Sequence, residues 1–275
     1  MKKVATIILN RNLPFVTDSL YEHLAKYDSE FTDIYVVEAG SDHDSLSKYT
    51  SWHADWPEAI KSGLRYARGM NYGLSQLYKE NKFESYEAFF LITHDTELNQ
   101  KATISPLLKI LESHPKVGIL SPCSERWGER ILLESEQTTK YFWFIHKNAY
   151  LLRRSFVENI YNHDEVNCMQ FLFDGSNFRG YGLESELIAK AYINDWAAAI
   201  TSDVFINQEE SYLIDSSQLI KTDDYKTSLT SYVEEGRKWM LKKYGFRSRW
   251  SMQQYVKLFY DKFFYYYPEY KKYRI

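Results

Sequence analysis

The sequence predicts an α/β fold: a mostly parallel central sheet flanked by helices, with a helical C-terminal appendage. Three observations predict it. Short apolar, β-branched runs alternate with helix-period segments through the first 120 residues, the pattern of parallel strands joined by right-handed crossovers. Three of those runs end in polar clusters, where the ligands of open α/β sheets bind. From Thr227 onward the chain reads as helix without strand.

The elements follow in order. Val4 to Leu9 is a continuous apolar run, expected of a strand buried on both faces. Pro14 to Lys26 places Phe15, Leu20 and Leu24 near helical spacing, and Asp33 to Glu38 reads as a second buried strand. Tyr66 to Lys79 is a helix with Met70, Leu74 and Leu77 on one face. Phe89 to Ile92 is a third strand, Ser105 to Ser113 a helix and Val117 to Leu120 a fourth strand. Tyr141 to Ile145 is expected as a strand and Ala149 to Ile160 as a helix. A glycine-rich turn, Phe178-Arg-Gly-Tyr-Gly-Leu-Glu-Ser-Glu-Leu187, then enters a helix to Tyr192. Ala197 to Ile206 is a strand interrupted by Thr201-Ser202-Asp203. Two helices, to about Lys243 and from Ser251 to about Tyr267, end at Pro268. The division expected is a body of residues 1–226 and a basic, aromatic tail of residues 227–275.

At 275 residues, with 44% hydrophobic and 26% charged content, the chain can bury a sizeable core. Aromatic content is high at 17%, with 24 tyrosines; such rings suit sugar stacking as well as core packing. The apolar run after Met1-Lys-Lys stops at Asn10-Arg-Asn12, too short for an export signal, and no window reaches membrane-span length. Cys123 and Cys168 argue against a disulfide framework and fit a reducing compartment, so a cytosolic protein is expected. Charge is unevenly placed. Residues 236–275 hold eleven Lys or Arg against Asp261 and Glu269, a balance of +9, leaving −12 on the remainder. A basic, aromatic tail suggests a surface for an anionic partner, such as a membrane's inner face. Nucleic acid is not expected, because no recognisable module accompanies the charge.

Four polar clusters carry candidate chemistry. Glu38-Ala-Gly-Ser-Asp42 closes the second strand, though such turns also cap helices. Arg68 within Ala67-Arg-Gly-Met-Asn-Tyr-Gly73 suits a diphosphate through charge-assisted hydrogen bonds, or simply faces solvent. His94-Asp-Thr-Glu97 supplies oxygen donors suited to Mg²⁺ or Mn²⁺. Glu184 and Glu186 are a possible general base at a helix start, where carboxylates are also favoured by the backbone dipole alone. Phosphate-binding Gly-rich loops, dinucleotide fingerprints, zinc-spaced Cys/His sets and nucleophile elbows are absent.

In order and spacing these clusters resemble the inverting family 2 glycosyltransferases of GT-A fold, in particular rhamnosyltransferase- and galactosyltransferase-like enzymes of bacterial glycan assembly. Leu9-Asn10-Arg11-Asn12-Leu13 resembles their loop after the first strand. Val36-Val-Glu38-Ala-Gly-Ser-Asp42 is similar to V-V-D-N-G-S-x-D, with Glu38 at the acid that usually meets the base. Ala67-Arg68-Gly-x-Asn71-x-Gly73 is similar to the segment whose Arg and Asn lie near the nucleotide. Leu91 to Leu98 resembles the D-x-D stretch, and Phe178 to Leu187 the G-W-G-x-E-D-x-E-L acceptor motif. The resemblance spans residues 4 to about 211. It implies transfer of a hexose from a nucleotide-diphosphate sugar to a glycan or lipid-linked acceptor, with inversion, in cell-surface polysaccharide synthesis. It also implies nucleotide contacts from Asn10, Arg11, Glu38, Arg68, Asn71, His94 and Asp95, and Mn²⁺ or Mg²⁺ held by Asp95, Glu97 and Asn207. Glu184 or Glu186 becomes the base, because Ser185 occupies the usual base position. Thr93 stands at the first metal acid and Asn207 where many members carry His. These three departures favour an alternative, a catalytically silent GT-A scaffold that binds a partner transferase or a glycan.

Overall fold

Every residue of β1 (Val4–Asn10) is buried, as its unbroken apolar sequence requires of a central strand. β1 lies between β2 (Thr32–Glu38) and β4 (Ala88–Thr93), both parallel to it. This computed structural model describes residues 3–98, 101–124, 137–146, 149–208 and 225–275. β3 (Thr50–His53) extends the parallel half beyond β2. On the other side the sheet turns mixed. β8 (Ala149–Arg153) runs antiparallel to β4 and to β6 (Val117–Ser124). β9 (Ala197–Gln208) is parallel to β6, and both β5 (Thr96–Leu98) and β7 (Thr139–Tyr141) pair antiparallel with it. The order is β3-β2-β1-β4-β8-β6-β9-β5.

Helices cover this sheet: α1 (Pro14–Tyr27), α2 (Pro57–Ser62), α3 (Arg65–Lys79), α4 (Ile104–Ser113), α5 (Arg154–Ile160) and α6 (Leu183–Ile193). α3 approaches β1 closely because Gly69 and Gly73 lack side chains. A Cβ at Gly69 would fall 2.3 Å from Leu9 Cδ1, and one at Gly73 would fall 3.0 Å from Ile7 Cγ2. Both glycines of the Ala67–Gly73 cluster are therefore packing devices.

Two expectations change. Ala149 to Ile160 is not one helix: Ala149–Arg153 is strand β8, and only Arg154–Ile160 is helical. A short apolar run has no period of its own. Here the open positions between β4 and β6 decide, and β8 fills both ladders with Ala149, Tyr150, Leu151 and Leu152 fully buried. Of Tyr141 to Ile145, only Tyr141 lies in a strand, at the end of β7.

The C-terminal segment forms α7 (Tyr225–Tyr244) and α8 (Arg249–Tyr266), then a 3₁₀ turn over Pro268–Tyr273. Val256, Tyr260, Phe263 and Phe264 of α8 belong to the same buried cluster as the sheet strands. Tyr192 of α6 meets Tyr260 and Phe263 edge-on, with ring centroids 5.5 Å apart in each case. Thus α8 is built into the main core. α7 packs through a smaller cluster of Trp239 and Met240 with Met252. Among the described residues no helix is long and apolar enough to cross a membrane.

Candidate active site

The loops after β1, β2 and β4 emerge at the carboxyl edge of the parallel half and carry Arg11, Asp42, His94 and Asp95, with Asn10 and Glu38 at the strand ends. Glu38 is fully buried. Its carboxylate accepts from Asn10 Nδ2 at 2.9 and 3.1 Å, from Ser41 Oγ at 2.5 Å and from the Ser47 N–H at 2.9 Å. Asn10 Oδ1 in turn accepts from the Leu13 N–H at 3.3 Å. Asn10 and Glu38, both expected at the nucleotide, tie the β1 and β2 loops to each other. A fully buried carboxylate demands such donors, and neighbouring loops supply them.

Asn71, also expected at the nucleotide, bonds backbone groups of the chain. Its Nδ2 donates to the Cys168 and Phe173 carbonyls at 3.2 and 2.8 Å, and its Oδ1 accepts from the Leu172 and Phe173 N–H groups at 3.1 and 2.9 Å. An amide side chain has no further strong position to offer. Three arginines cluster nearby. Arg68 Nε donates to the Gly175 carbonyl at 2.8 Å, and its guanidinium lies 4.7 Å from the Phe178 ring centre. Arg65, entering α3 with the left-handed φ of 56°, shares that ring at 5.7 Å. Arg11 donates to the Ile60 carbonyl at 3.0 Å; burial, then the nearby Arg65 charge, push its guanidinium pKa down to about 10.

The turn between β4 and β5 holds the metal candidates. His94 Nδ1 lies 3.1 Å from the Leu9 carbonyl, to which it donates. Asp95 is 3% exposed; its Oδ2 accepts from Gln208 Nε2 at 2.7 Å. Asp95 Oδ1, His94 Nε2 and the Thr93 and Thr96 hydroxyls are buried without a hydrogen-bond partner among the described residues. Glu97 of β5 stands opposite Asn207 of β9 in the ladder. The neighbouring Glu209, Glu210 and Ser211 lie outside the described residues. Among the described residues no three His, Cys, Asp or Glu side chains converge as a metal site. Asp95, His94 and Glu97 line a cavity of about 490 Å³ against Phe15, Ser19 and His23 of α1.

The glycine-rich turn positions the base candidates. Gly182, at φ 83°, adopts the left-handed conformation that lets the chain enter α6. Glu184 is 4% exposed and Glu186 is 2% exposed. Glu186 Oε1 accepts from Tyr244 Oη at 2.5 Å and lies 2.7 Å from Lys243 Nζ. Glu184 Oε1 accepts from Arg249 Nη2 at 2.6 Å. Its Oε2 is buried and finds no hydrogen-bond partner among the described residues. The two carboxylates therefore differ: Glu186 anchors α7, whereas Glu184 keeps one unbonded oxygen. Burial and the Glu184 charge push the Tyr66 phenol well above its ordinary pKa.

Sequence reading did not single out Asp174, Lys243 or Arg249. Asp174 accepts from Lys243 Nζ at 2.6 Å, Ser176 Oγ at 2.6 Å and Trp239 Nε1 at 3.0 Å. Burial pushes its carboxyl up, but these donors outweigh burial and hold it below the usual carboxylate range. The available signal was the charge asymmetry: part of the basic tail's anionic partner is the acidic rim of the same chain.

No protein-family model and no curated protein sequence matches the chain. Solved structures do. The mannosyltransferase PcManGT of Pyrobaculum calidifontis, in complex with GDP-Man and Mn²⁺, matches 94% of this chain and 86% of its own, with a TM-score of 0.50 and 12% identity. S. aureus TarS (residues 1–349) in complex with UDP-GlcNAc matches 95% of this chain and 72% of its own, with a TM-score of 0.51 and 13% identity. Glucosyl-3-phosphoglycerate synthase of Mycobacterium tuberculosis, with Mn²⁺, UDP and phosphoglyceric acid, matches 88% of this chain and 78% of its own, at the same TM-score and identity. Likeness at these identities speaks for a shared fold.

Proposed function

We propose, from the GT-A fold that this chain has, that it is a glycosyltransferase moving a hexose from a nucleotide-diphosphate donor to a hydroxyl acceptor with inversion. The acceptor is a glycan or lipid-linked sugar of a cell-surface polysaccharide. The observation that carries the reading is Glu184, a buried, Arg-paired carboxylate with one unbonded oxygen at the start of α6. In the reaction Oε2 takes the acceptor hydroxyl's proton. The acceptor oxygen bonds the anomeric carbon as the bond from that carbon to the diphosphate oxygen breaks. Arg11, Arg65 and Arg68 stand as preorganised positive charge for the departing diphosphate.

The donor set of the β4–β5 turn fits Mg²⁺ or Mn²⁺, since Asp95 Oδ1 and two threonine hydroxyls are hard oxygen ligands without a hydrogen-bond partner among the described residues. Asp95 would be the principal ligand, with phosphate and water oxygens completing the shell; Glu97 and Asn207 flank it. Such an ion supplies charge neutralisation on the diphosphate. Calorimetric titration with UDP, GDP, dTDP and CMP, each with and without Mn²⁺, tests this. One nucleotide should bind, at least tenfold more tightly with Mn²⁺, and Asp95→Ala should abolish the metal-dependent gain. Absence of binding by all four would favour the silent scaffold.

We also propose that the protein works at the inner face of a membrane, through the outward face of α8 in its basic, aromatic tail. Phe263 is buried and Tyr255, Phe259 and Tyr267 are partly buried. Trp250, Leu258, Tyr265 and Tyr266 instead face outward from α8, beside the exposed Lys262. An aromatic and basic stripe of this kind suits an anionic lipid interface. Removing the tail would strip Val256, Tyr260 and Phe264 from the core, so surface variants are the cleaner test. Anionic vesicles should sediment the native chain, and Trp250→Ser/Lys262→Glu should weaken that binding severalfold; equal sedimentation would refute the surface.

A further inference from the structure

We propose that Arg249, the first residue of α8, is a positioning residue that holds Glu184 with one oxygen bonded and keeps the other for the acceptor's proton. This inference rests on the reading of Glu184 as the base.

The geometry is asymmetric. Arg249 Nη2 lies 2.6 Å from Glu184 Oε1, while Oε2 takes no bond from the described residues. The guanidinium is itself held in place: it lies 5.0 Å from the Phe144 ring centre and 5.3 Å from that of Tyr181. A planar guanidinium against aromatic rings is more restricted than an ammonium on a flexible stem. Its backbone is fixed too. Ser248 caps α8 by accepting from the Ser251 N–H at 3.2 Å, and Met252 and Val256 are buried just beyond. Arg249 is thus delivered by a rigid element to a carboxylate on another rigid element, the arrangement that keeps a reacting group in register.

Lys243, only six residues earlier, provides the contrast. It bonds Asp174 and Glu186 and leaves Glu184 alone. Losing Lys243 loosens the tail without touching the base. Losing Arg249 releases the base as well. A purely structural tail would make the two losses equivalent.

The test measures nucleotide release from UDP-glucose, UDP-GlcNAc and GDP-mannose in the native chain and in Arg249→Met, Arg249→Lys, Lys243→Met and Glu184→Gln, each melted to establish its folded fraction. Arg249→Met should lower kcat roughly 10–100-fold, the range seen when a supporting partner of a reacting group is removed. The donor KM should stay within about twofold. Arg249→Lys should restore part of kcat, and Lys243→Met should lower the melting temperature while keeping kcat near native. Native kcat in Arg249→Met, or equal losses in Arg249→Met and Lys243→Met, would overturn the proposal. Native kcat in Glu184→Gln, or no turnover of any donor by the native chain, would remove the base reading and this inference with it.

Discussion

Glu184→Gln is expected to reduce sugar transfer about 10²–10⁴-fold, the usual contribution of a general base, while nucleotide affinity stays near native. The substitution replaces the unbonded oxygen's proton-accepting role with an amide that cannot take a proton from an alcohol. It also leaves Arg249 without its anion, so some stability is lost, and rates must be read where the variant is folded. The paired substitution separates the two acids. Glu186 is gripped by Lys243 and Tyr244, so Glu186→Gln should weaken the docking of α7 and lower the melting temperature while sparing turnover. Steady-state kinetics alongside thermal melts check both. Native turnover in Glu184→Gln with a large loss in Glu186→Gln would reverse the assignment.

Asn71→Ala is expected to destabilise the fold by about 3–5 kcal/mol. The side chain satisfies backbone groups of Cys168, Leu172 and Phe173, and it is fully buried. Each buried group left unpaired costs about 1–3 kcal/mol, reduced where water can reach it. The same bonds hold the loop ahead of the Phe178 turn against α3. A urea unfolding curve measures the loss. A nucleotide contact would behave differently, because its removal would weaken affinity and leave stability almost unchanged. Stability within 1 kcal/mol of native, with a large drop in nucleotide affinity, would restore the contact role that the motif resemblance implies.

Much of the fold is legible in sequence. Continuous apolar runs at Val4–Leu9 and Phe89–Ile92 are strands buried on both faces, and the first three helices with clear apolar faces, near Pro14, Tyr66 and Ser105, lie where their spacing puts them. What was illegible is short or borrowed. β3 and β5 are four and three residues long and only partly buried, so no period marks them. β8 carries an apolar run that suits helix or strand equally, and the gap between β4 and β6 makes the choice. The start of α4 shows the same limit. Its Thr103 and Ile104 N–H groups are satisfied by the carboxylate of Asp28, about 75 residues earlier, at 2.8–3.1 Å. No local capping signal announces that partner.

Sequence alone determined the strand–helix alternation, the polar clusters at strand ends and the acidic turn before α6, because each is written in neighbouring residues: hydrophobic period, glycine, and charge at a helix start. The roles of the individual polar residues were decided by tertiary structure. Asn10 and Glu38 spend their hydrogen bonds on each other's loops, Asn71 on the backbone of Cys168, Leu172 and Phe173, and Glu186 its carboxylate on α7. Asp95 and Glu184 each retain an oxygen without a hydrogen-bond partner among the described residues. The physical reason is that a buried polar atom's availability depends on how many donors the folded chain brings to it. Several of those donors come from far along the chain, 28 residues away for Asn10 on Glu38 and 102 for Phe173 on Asn71.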